Sequence, residues 1–269
     1  MKRILTAIAL VPFLILIIGF ASPLFFAILV AAAAGIALEE FFSLAKRCGL
    51  EPQRIAGHLL SLLLIASFHF CPRNQSAALF VLVLSSCLFL GLGLSQGGRL
   101  ERVLPGASAT LLGLVYISTT LGLLVAVRSN VAPAREAHHW IFFFLLVVWL
   151  GDTGAYYVGR ALGRHKLAPL VSPKKTIEGS AGGLMANLLA ALLTKKLFLP
   201  GASFASLLVL SGVLGVASQL GDLAESALKR GAGIKDSSNL LPGHGGLLDR
   251  IDGILFAAPI LFGYTKFFL

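Results

Sequence analysis

The chain has 269 residues, of which 57% are hydrophobic and 13% charged, and its formal net charge is +10. An average soluble domain carries about 25% charged residues, so this chain has too few to cover a surface that faces water on all sides, and a soluble globular fold is excluded. Its positive charge fits basic residues at the ends of membrane spans, which attract anionic lipid headgroups, and no soluble basic face suggests a nucleic-acid partner.

Long apolar runs bounded by charged residues, Gly or Pro predict about nine transmembrane helices. They cover residues 4–20, 23–45, 57–71, 76–95, 107–127, 139–158, 179–199, 203–223 and 251–268. The first run resembles a signal peptide, but it is long enough to span a bilayer and is interpreted as an uncleaved span. No strand pattern or linker interrupts the chain. Residues 1–269 are therefore predicted to form one all-α, polytopic integral membrane domain, with N-terminal helices in 1–150 and motif-bearing helices in 151–269.

The distribution of Lys and Arg predicts the orientation of these spans. With the N-terminus in the cytoplasm, 16 of the 22 Lys and Arg residues fall in cytoplasmic segments, as the positive-inside rule requires. The loops 159–178 and 224–250 then both face the cytoplasm from a cell inner (plasma) membrane. These two loops and the adjoining helix ends contain nearly all of the chemically capable residues, so they are the predicted site.

Seven carboxylates surround these two loops. They are Asp152, Glu178, Asp222, Glu225, Asp236, Asp249 and Asp252. Asp222 and Glu225 are three residues apart, as are Asp249 and Asp252, so each pair shares one helix face. Acidic residues at bilayer depth usually face a cavity, a partner or an ion, and oxygen-rich sets suit Mg²⁺. For any single carboxylate, the alternative is a simple ion pair with a nearby Lys or Arg.

Basic and glycine-rich segments supply the complementary charge. Residues 172–179 read Ser-Pro-Lys-Lys-Thr-Ile-Glu-Gly and place two ammonium groups just before the seventh span. A helix N-terminus favours phosphate, and Thr176 to Gly179 are expected to cap it; the alternative is a charged anchor for the span. The second loop carries a Pro-Gly-His-Gly-Gly run at 242–246, whose glycines let backbone amides approach a ligand. Without a GxxxxGK[ST] motif, the pattern predicts a Mg²⁺-dependent nucleotide or polyphosphate site that is not a P-loop.

Residues 226–252 resemble a known signature. The run reads Ser-Ala-Leu-Lys-Arg-Gly-Ala-Gly-Ile-Lys-Asp at 226–236 and Leu-Pro-Gly-His-Gly-Gly-Leu-Leu-Asp-Arg-Ile-Asp at 241–252. It is similar to the signature of the phosphatidate cytidylyltransferases (CDP-diacylglycerol synthases). Residues 152–160 and 172–179 are similar to the same family, in the expected order. Gly253 departs from the pattern, where Ser is expected, and before residue 150 the likeness is limited to apolar runs and to Glu39-Glu40.

The resemblance implies a nucleotidyltransferase that converts CTP and phosphatidate into CDP-diacylglycerol and pyrophosphate within membrane lipids. Catalytic roles are expected for Asp222, Asp249, Asp252, Lys229 and Arg230. Substrate binding is expected for Ser172, Lys174, Lys175, Thr176, Glu178, Lys235, Asp236, His244, Gly245, Gly246 and Arg250. The metal ligands expected for Mg²⁺, with an optional second cation, are Asp222, Asp249, Asp252, Glu225 and Asp152.

Two other functions and one structural question stay open at this point. A membrane CTP-dependent kinase of the polyprenol type would release CDP, and an ion transporter would use midplane carboxylates to bind its ion. The spacing of Gly179 and Gly183 is typical of a close helix contact, which serves either packing within the chain or a homodimer.

Overall fold

The computed structural model describes residues 12–94, 100–131, 136–240 and 245–269, and these are mainly helical. Residues 12–20 are helical and are labelled α1. The other elements are α2 (Pro23–Arg47), α3 (Arg54–Phe70), α4 (Ser76–Leu94), a 3₁₀ turn (Leu100–Arg102), α5 (Val103–Gly113), a π segment (Leu114–Thr119), α6 (Thr120–Ala126), a second π segment (Val127–Val131), α7 (Ala137–Leu162), β1 (Lys166–Ala168), β2 (Ser172–Thr176), α8 (Ile177–Leu197), α9 (Phe204–Gly231) and α10 (Leu248–Phe267).

Six helical stretches in the described parts of the chain are long and apolar enough to cross a membrane. They are Pro23–Arg47, Ser76–Leu94, Leu100–Ser129, Ala137–Leu162, Ile177–Leu197 and Phe204–Gly231. Large apolar side chains such as Ile55, Leu59 and Phe80 are exposed on the helices, as expected of surfaces that face lipid rather than water. The prediction of a polytopic helical membrane protein is therefore confirmed.

The count of nine spans stays a prediction. Helix α3 has 17 residues, which is at the lower limit for crossing a bilayer. Helix α10 has 20 residues but is not among the six stretches that meet the length and hydropathy requirements. Residues 4–11 of the first predicted span lie outside the described residues.

A short antiparallel hairpin, which the sequence analysis did not predict, connects α7 to α8. Strands β1 and β2 pair Lys166 with Thr176 and Ala168 with Ser172. Glu178, in the first turn of α8, accepts hydrogen bonds from the backbone N–H groups of Arg164 at 3.0 Å and His165 at 3.2 Å. The hairpin was missed because its short strands show no alternation of apolar residues, and the carboxylate of Glu178 bonds the two residues that precede the first strand.

The chain divides into two compact units. The first comprises residues 1–131 and 228–250, and the second comprises residues 132–227 and 251–269. Helices α9 and α10 each contribute residues to both units. The single domain over residues 1–269, with N-terminal helices in 1–150 and motif-bearing helices in 151–269, stays a prediction.

In the first unit, small residues and buried hydroxyls allow the helices to approach closely. A Cβ atom at Gly57 of α3 would lie 2.7 Å from the ring of Phe42 on α2. The hydroxyl of Ser118 donates to that of Ser61 over 2.7 Å, a hydrogen bond between helices of the kind that supports packing in lipid. Phe42 and Phe89 are among the largest fully buried side chains, so the unit has its own apolar core.

In the second unit, glycines form the contact between α7 and α8. A Cβ atom at Gly179 would lie 2.8 Å from the carbonyl oxygen of Ala155, and one at Gly183 would lie 2.8 Å from that of Gly151. Gly182 faces Val158, whose side chain occupies the place of a Cβ atom. Of the two roles left open by the sequence, Gly179 and Gly183 serve packing within the chain, and a homodimer stays a prediction.

We expect Gly182→Ala to lower the thermal unfolding midpoint of the detergent-purified protein. The added methyl group overlaps the branched side chain of Val158, and overpacking of this kind typically costs about 1–3 kcal/mol. The matched control is Gly212→Ala in α9, where a Cβ atom would meet nothing within 4 Å. Equal midpoints for the two variants would contradict the close contact between α7 and α8.

Candidate active site

The second unit places the basic hairpin beside an acidic residue of α9. The ammonium group of Lys175, on β2, forms an ion pair with the carboxylate of Asp222. The two side chains are 26% and 37% exposed, so the pair remains accessible to water. Ser226, one turn further along α9, lies 3.4 Å from the other oxygen of Asp222.

The residues around Lys175 shape the hairpin and the start of α8. The Thr176 hydroxyl accepts a hydrogen bond from the Gly179 N–H over 3.1 Å, so the predicted cap is confirmed. Glu178 bonds the backbone of Arg164 and His165, just before the first strand, and also contacts His165 Nδ1 at 2.6 Å. Lys174 is exposed and Ser172 is half-buried. In residues 172–179, the charge of Glu178 is bonded to backbone N–H groups. The two lysines, Lys174 and Lys175, supply the positive charge of the hairpin.

The remaining predicted carboxylates of the second unit lie on three helices. Asp152 is in α7, Glu225 is in α9 and is fully buried, and Asp252 is in the first turns of α10. Helices α9 and α10 meet closely here, since a Cβ atom at Gly221 would lie 2.5 Å from the carbonyl oxygen of Asp252.

Gly253, the departure from the family pattern, has a local explanation. The hydroxyl of Ser218, on α9, lies where a Cβ atom of residue 253 would be. Ser218 is only 4% exposed, so the space between α9 and α10 is already filled. A serine at position 253 would require Ser218 to move.

The first unit contains a second lysine–aspartate pair, formed by Lys229 and Asp249. Their side chains are only 11% and 6% exposed. The other carboxylate oxygen of Asp249 accepts hydrogen bonds from the N–H groups of Gly246 at 2.8 Å and Ser237 at 2.9 Å, and from the Ser237 hydroxyl at 2.9 Å. Burial acts to raise the pKa of Asp249, but Lys229 and these donors outweigh it and hold the pKa below its ordinary value of 3.8.

Glu40 is a site residue to which sequence reasoning assigned no role. It lies in α2, is 6% exposed, and accepts hydrogen bonds from Ser238 Oγ at 2.6 Å, Leu247 N at 3.0 Å and Leu248 N at 2.7 Å. The only signal in the sequence was two adjacent carboxylates, Glu39 and Glu40, inside an apolar run. Its partners are about 200 positions away in the chain, so no local pattern identifies them.

The other predicted residues of the second loop are more exposed. Arg230 donates to the carbonyl oxygen of Ile234 over 3.1 Å, while Lys235, Asp236 and Arg250 are exposed. Gly245 has φ +83°, a conformation that favours glycine. His244 lies outside the described residues.

A mainly apolar cavity of about 670 Å³ adjoins Glu40 in the first unit. Its walls come from α2, α3 and residues 237–240, and they include Gly35, Glu39, His58 and Ser238. Glu39, one of the lining residues, pairs with Arg54, so the negative charge of Glu39 is neutralised.

Protein groups engage two of the predicted metal ligands. Within the described ranges, no group of three or more His, Cys, Asp or Glu side chains that could hold a metal ion is found. Asp222 faces Lys175, and both oxygens of Asp249 accept hydrogen bonds from protein donors. A cation bound at either carboxylate would have to compete with the lysine partner, and the metal site stays a prediction.

The described residues define a polytopic helical membrane protein with two lysine–aspartate pairs, one in each unit. Comparison with known proteins makes this specific. The model of the Cytidylyltransferase family matches residues 1–268, and the chain belongs to that family.

Relatives with high identity carry one printed name, phosphatidate cytidylyltransferase. The Bacillus subtilis protein is 34% identical over 264 residues, covering 97% of this chain and 96% of the relative. The Staphylococcus aureus protein is 35% identical over 261 residues, or 96% of each chain. The Staphylococcus saprophyticus protein is 43% identical over 155 residues, and that match spans 57% of the relative's length.

We expect Asp249→Asn to lower the stability of the protein by about 3 kcal/mol near neutral pH, because it leaves Lys229 buried without its carboxylate partner. The pKa of Asp249 is lower in the folded protein than in the unfolded chain, so its contribution is fully present above the unfolded value, about 3.9, and is lost as the pH falls through the folded value. The measurement is the thermal unfolding midpoint of both proteins in detergent between about pH 2.5 and 8.

The difference between wild type and Asp249→Asn should be constant above about pH 5 and should shrink as the pH falls below 4. Asp236→Asn, which removes an exposed carboxylate from the same loop, is the control and should change the midpoint little. If the difference in unfolding midpoint between wild type and Asp249→Asn grew as the pH fell, the inferred direction of the Asp249 pKa shift would be wrong.

Proposed function

We propose that this chain transfers the CMP group of CTP to phosphatidate, giving CDP-diacylglycerol and pyrophosphate in phospholipid biosynthesis. Its family and the name shared by its full-length relatives support the reaction class. The structural observation that carries the proposal is the buried Lys229–Asp249 pair, because both of its residues lie in the 226–252 segment that resembles the family signature.

The reaction is a displacement at phosphorus. A phosphate oxygen of phosphatidate bonds to the α-phosphorus of CTP, the bond from that phosphorus to the oxygen bridging to the β-phosphate breaks, and pyrophosphate leaves with the bonding electrons. Both reactants are anions, so fixed cationic groups must reduce their repulsion and stabilise the charge on the leaving group. The attacking phosphate is largely ionised near neutral pH and requires no strong general base.

The two lysine–aspartate pairs suit different parts of this chemistry. Lys175, with Lys174 beside it, is accessible on the hairpin and is assigned to the triphosphate of CTP; Ser172, Thr176 and Glu178 support it by shaping the hairpin. Lys229, Arg230 and Arg250 are assigned to the phosphatidate phosphate or to the leaving pyrophosphate. The described loop residues Lys235, Asp236, Gly245 and Gly246 are assigned to substrate binding.

The Mg²⁺ requirement stays a prediction. Asp152, Asp222, Glu225 and Asp252 of the second unit, and Asp249 of the first, are its candidate ligands. The steps above are written without it, because the carboxylates as arranged are engaged by protein groups.

The reaction also requires a particular sidedness, since CTP is cytoplasmic and phosphatidate lies in the bilayer. We assign the N-terminus, the hairpin and the 226–252 segment to the cytoplasmic face of the inner membrane. The excess of Lys and Arg in the segments assigned to the cytoplasm supports this orientation.

Native cysteines test the orientation. Cys48 follows α2, Cys71 follows α3, and both are exposed. With the other cysteines replaced by Ala, a membrane-impermeant maleimide added to intact spheroplasts should label Cys71 and leave Cys48 unlabelled, and inverted vesicles should give the opposite result. Labelling of both cysteines from one side would show that α3 does not cross the membrane, and the nine-span count would be wrong.

The function is tested by pyrophosphate release from the detergent-purified protein, supplied with phosphatidate and each of CTP, UTP, ATP and GTP, with and without Mg²⁺. We expect release that requires phosphatidate and strongly prefers CTP. Release of CDP with a lipid alcohol would favour the kinase, and ion flux without nucleotide turnover would favour the transporter.

Lys175→Gln should raise the KM for CTP by about tenfold or more, the equivalent of about 1.4 kcal/mol, because a cation assigned to the triphosphate is lost. The control is Lys196→Gln, which removes an equal charge from the last turn of α8, far from the hairpin. It should leave the KM for CTP unchanged. Equal kinetics for the two variants would remove Lys175 from the site.

A further inference from the structure

Two described stretches near the start of α10, residues 237–240 and 245–248, are bonded to a carboxylate from another helix. That carboxylate belongs to Glu40 of α2. Its Oε1 atom accepts from Ser238 Oγ and Leu247 N, and its Oε2 atom accepts from Leu248 N and lies 3.0 Å from Ser237 Oγ. One side chain therefore joins residues 237–238 to residues 247–248.

The partners of Glu40 include backbone groups that need an acceptor. Leu247 N and Leu248 N stand at the start of α10, where the first N–H groups of a helix have no acceptor within the helix. A negative charge at this end also interacts favourably with the helix dipole. Glu40 thus caps α10 from another helix, and its burial is compensated by these donors.

Glu40 is connected to Asp249 through one hydroxyl. Ser237 Oγ lies 2.9 Å from Asp249 Oδ2 and 3.0 Å from Glu40 Oε2. A Cβ atom at Gly246 would lie 2.6 Å from Glu40 Oε2 and would overlap the Ser237 hydroxyl. The two carboxylates, the serine and the glycine therefore form one hydrogen-bonded cluster with no room for a side chain at position 246.

We propose that Glu40 is a positioning residue for the transfer reaction: it joins residues 237–238 to residues 247–248 and so fixes Asp249, its partner Lys229 and the amide of Gly246. The activity part of this inference rests on the proposed function. Glu40 touches no reacting atom; it acts through the loop, which carries residues assigned to substrate binding.

The test compares Glu40→Gln with Glu39→Gln in the full-length, detergent-purified protein. Both variants remove one negative charge from the same turn of α2, but Glu39 pairs with Arg54, whereas Glu40 accepts hydrogen bonds from Ser238, Leu247 and Leu248. In Glu40→Gln, one carboxylate oxygen becomes an NH₂ group that faces a backbone N–H of Leu247 or Leu248. That N–H, unlike a hydroxyl, cannot turn to accept.

Two readouts separate positioning from simple stability. Activity is measured below the unfolding midpoint and expressed per folded molecule. Glu40→Gln should then lower kcat/KM for CTP at least about tenfold, and Glu40→Asp should lower it less. The control Glu39→Gln should change kcat/KM less than about twofold. Hydrogen exchange at the amides of Leu247 and Leu248 should accelerate in Glu40→Gln and stay unchanged in Glu39→Gln. A merely structural role would reduce the yield of folded protein and leave kcat and KM per folded molecule unchanged, and that result would overturn the proposal.

Failure of the proposed function gives a different result. If the wild type releases no pyrophosphate, the reaction assignment fails, while hydrogen exchange still decides whether Glu40 holds the loop. If the wild type is active and exchange at Leu247 and Leu248 is the same in all variants, the role of Glu40 is wrong and the reaction assignment is unaffected.

Discussion

Carboxylates buried among apolar helices need compensating donors, and this requirement shapes both motif-bearing parts of the chain. Burying an ionised group is costly unless it is paired and hydrogen-bonded. Asp249 meets the requirement with Lys229 and the donors of Ser237 and Gly246. Glu40 meets it with hydroxyls and the first amides of α10. Since these donors lie in residues 237–238 and 246–248, the positions of those residues follow from satisfying two buried charges.

Glycine is the second constraint, because it decides how close the compensating groups can come. Gly246 leaves room for Glu40 and Ser237, and Gly221 leaves room for the backbone of Asp252. The same device brings α7 and α8 together at Gly179, Gly182 and Gly183. In lipid, helix association depends on this close packing and on interhelical hydrogen bonds rather than on the hydrophobic effect. The many glycines of the sequence are thus tied both to the site and to the fold.

The sequence predicted the helices well and the site only in part. Apolar runs located α2, α4, α7 and α8 to within a few residues, because membrane spans are defined by composition. Helix α9 continues to Gly231, beyond the end predicted at residue 223, because the polar residues after Asp222 remain helical until a glycine ends the helix. The hairpin depends on Glu178, and the loop depends on Glu40. Neither could be predicted, since each carboxylate acts on backbone groups that no local pattern identifies.

The two lysine–aspartate pairs differ in burial, and this separates their roles. A pair accessible to water contributes about 0–1 kcal/mol, so Lys175 can leave Asp222 for a phosphate at little cost. Breaking a buried pair by removing one partner costs about 3–5 kcal/mol, and Lys229 and Asp249 are 11% and 6% exposed. An incoming phosphate therefore competes far more readily for Lys175 than for Lys229. In the proposed reaction, the exposed pair is the one suited to exchanging its anion, and Lys229 would contact a phosphate while it keeps Asp249 as its partner.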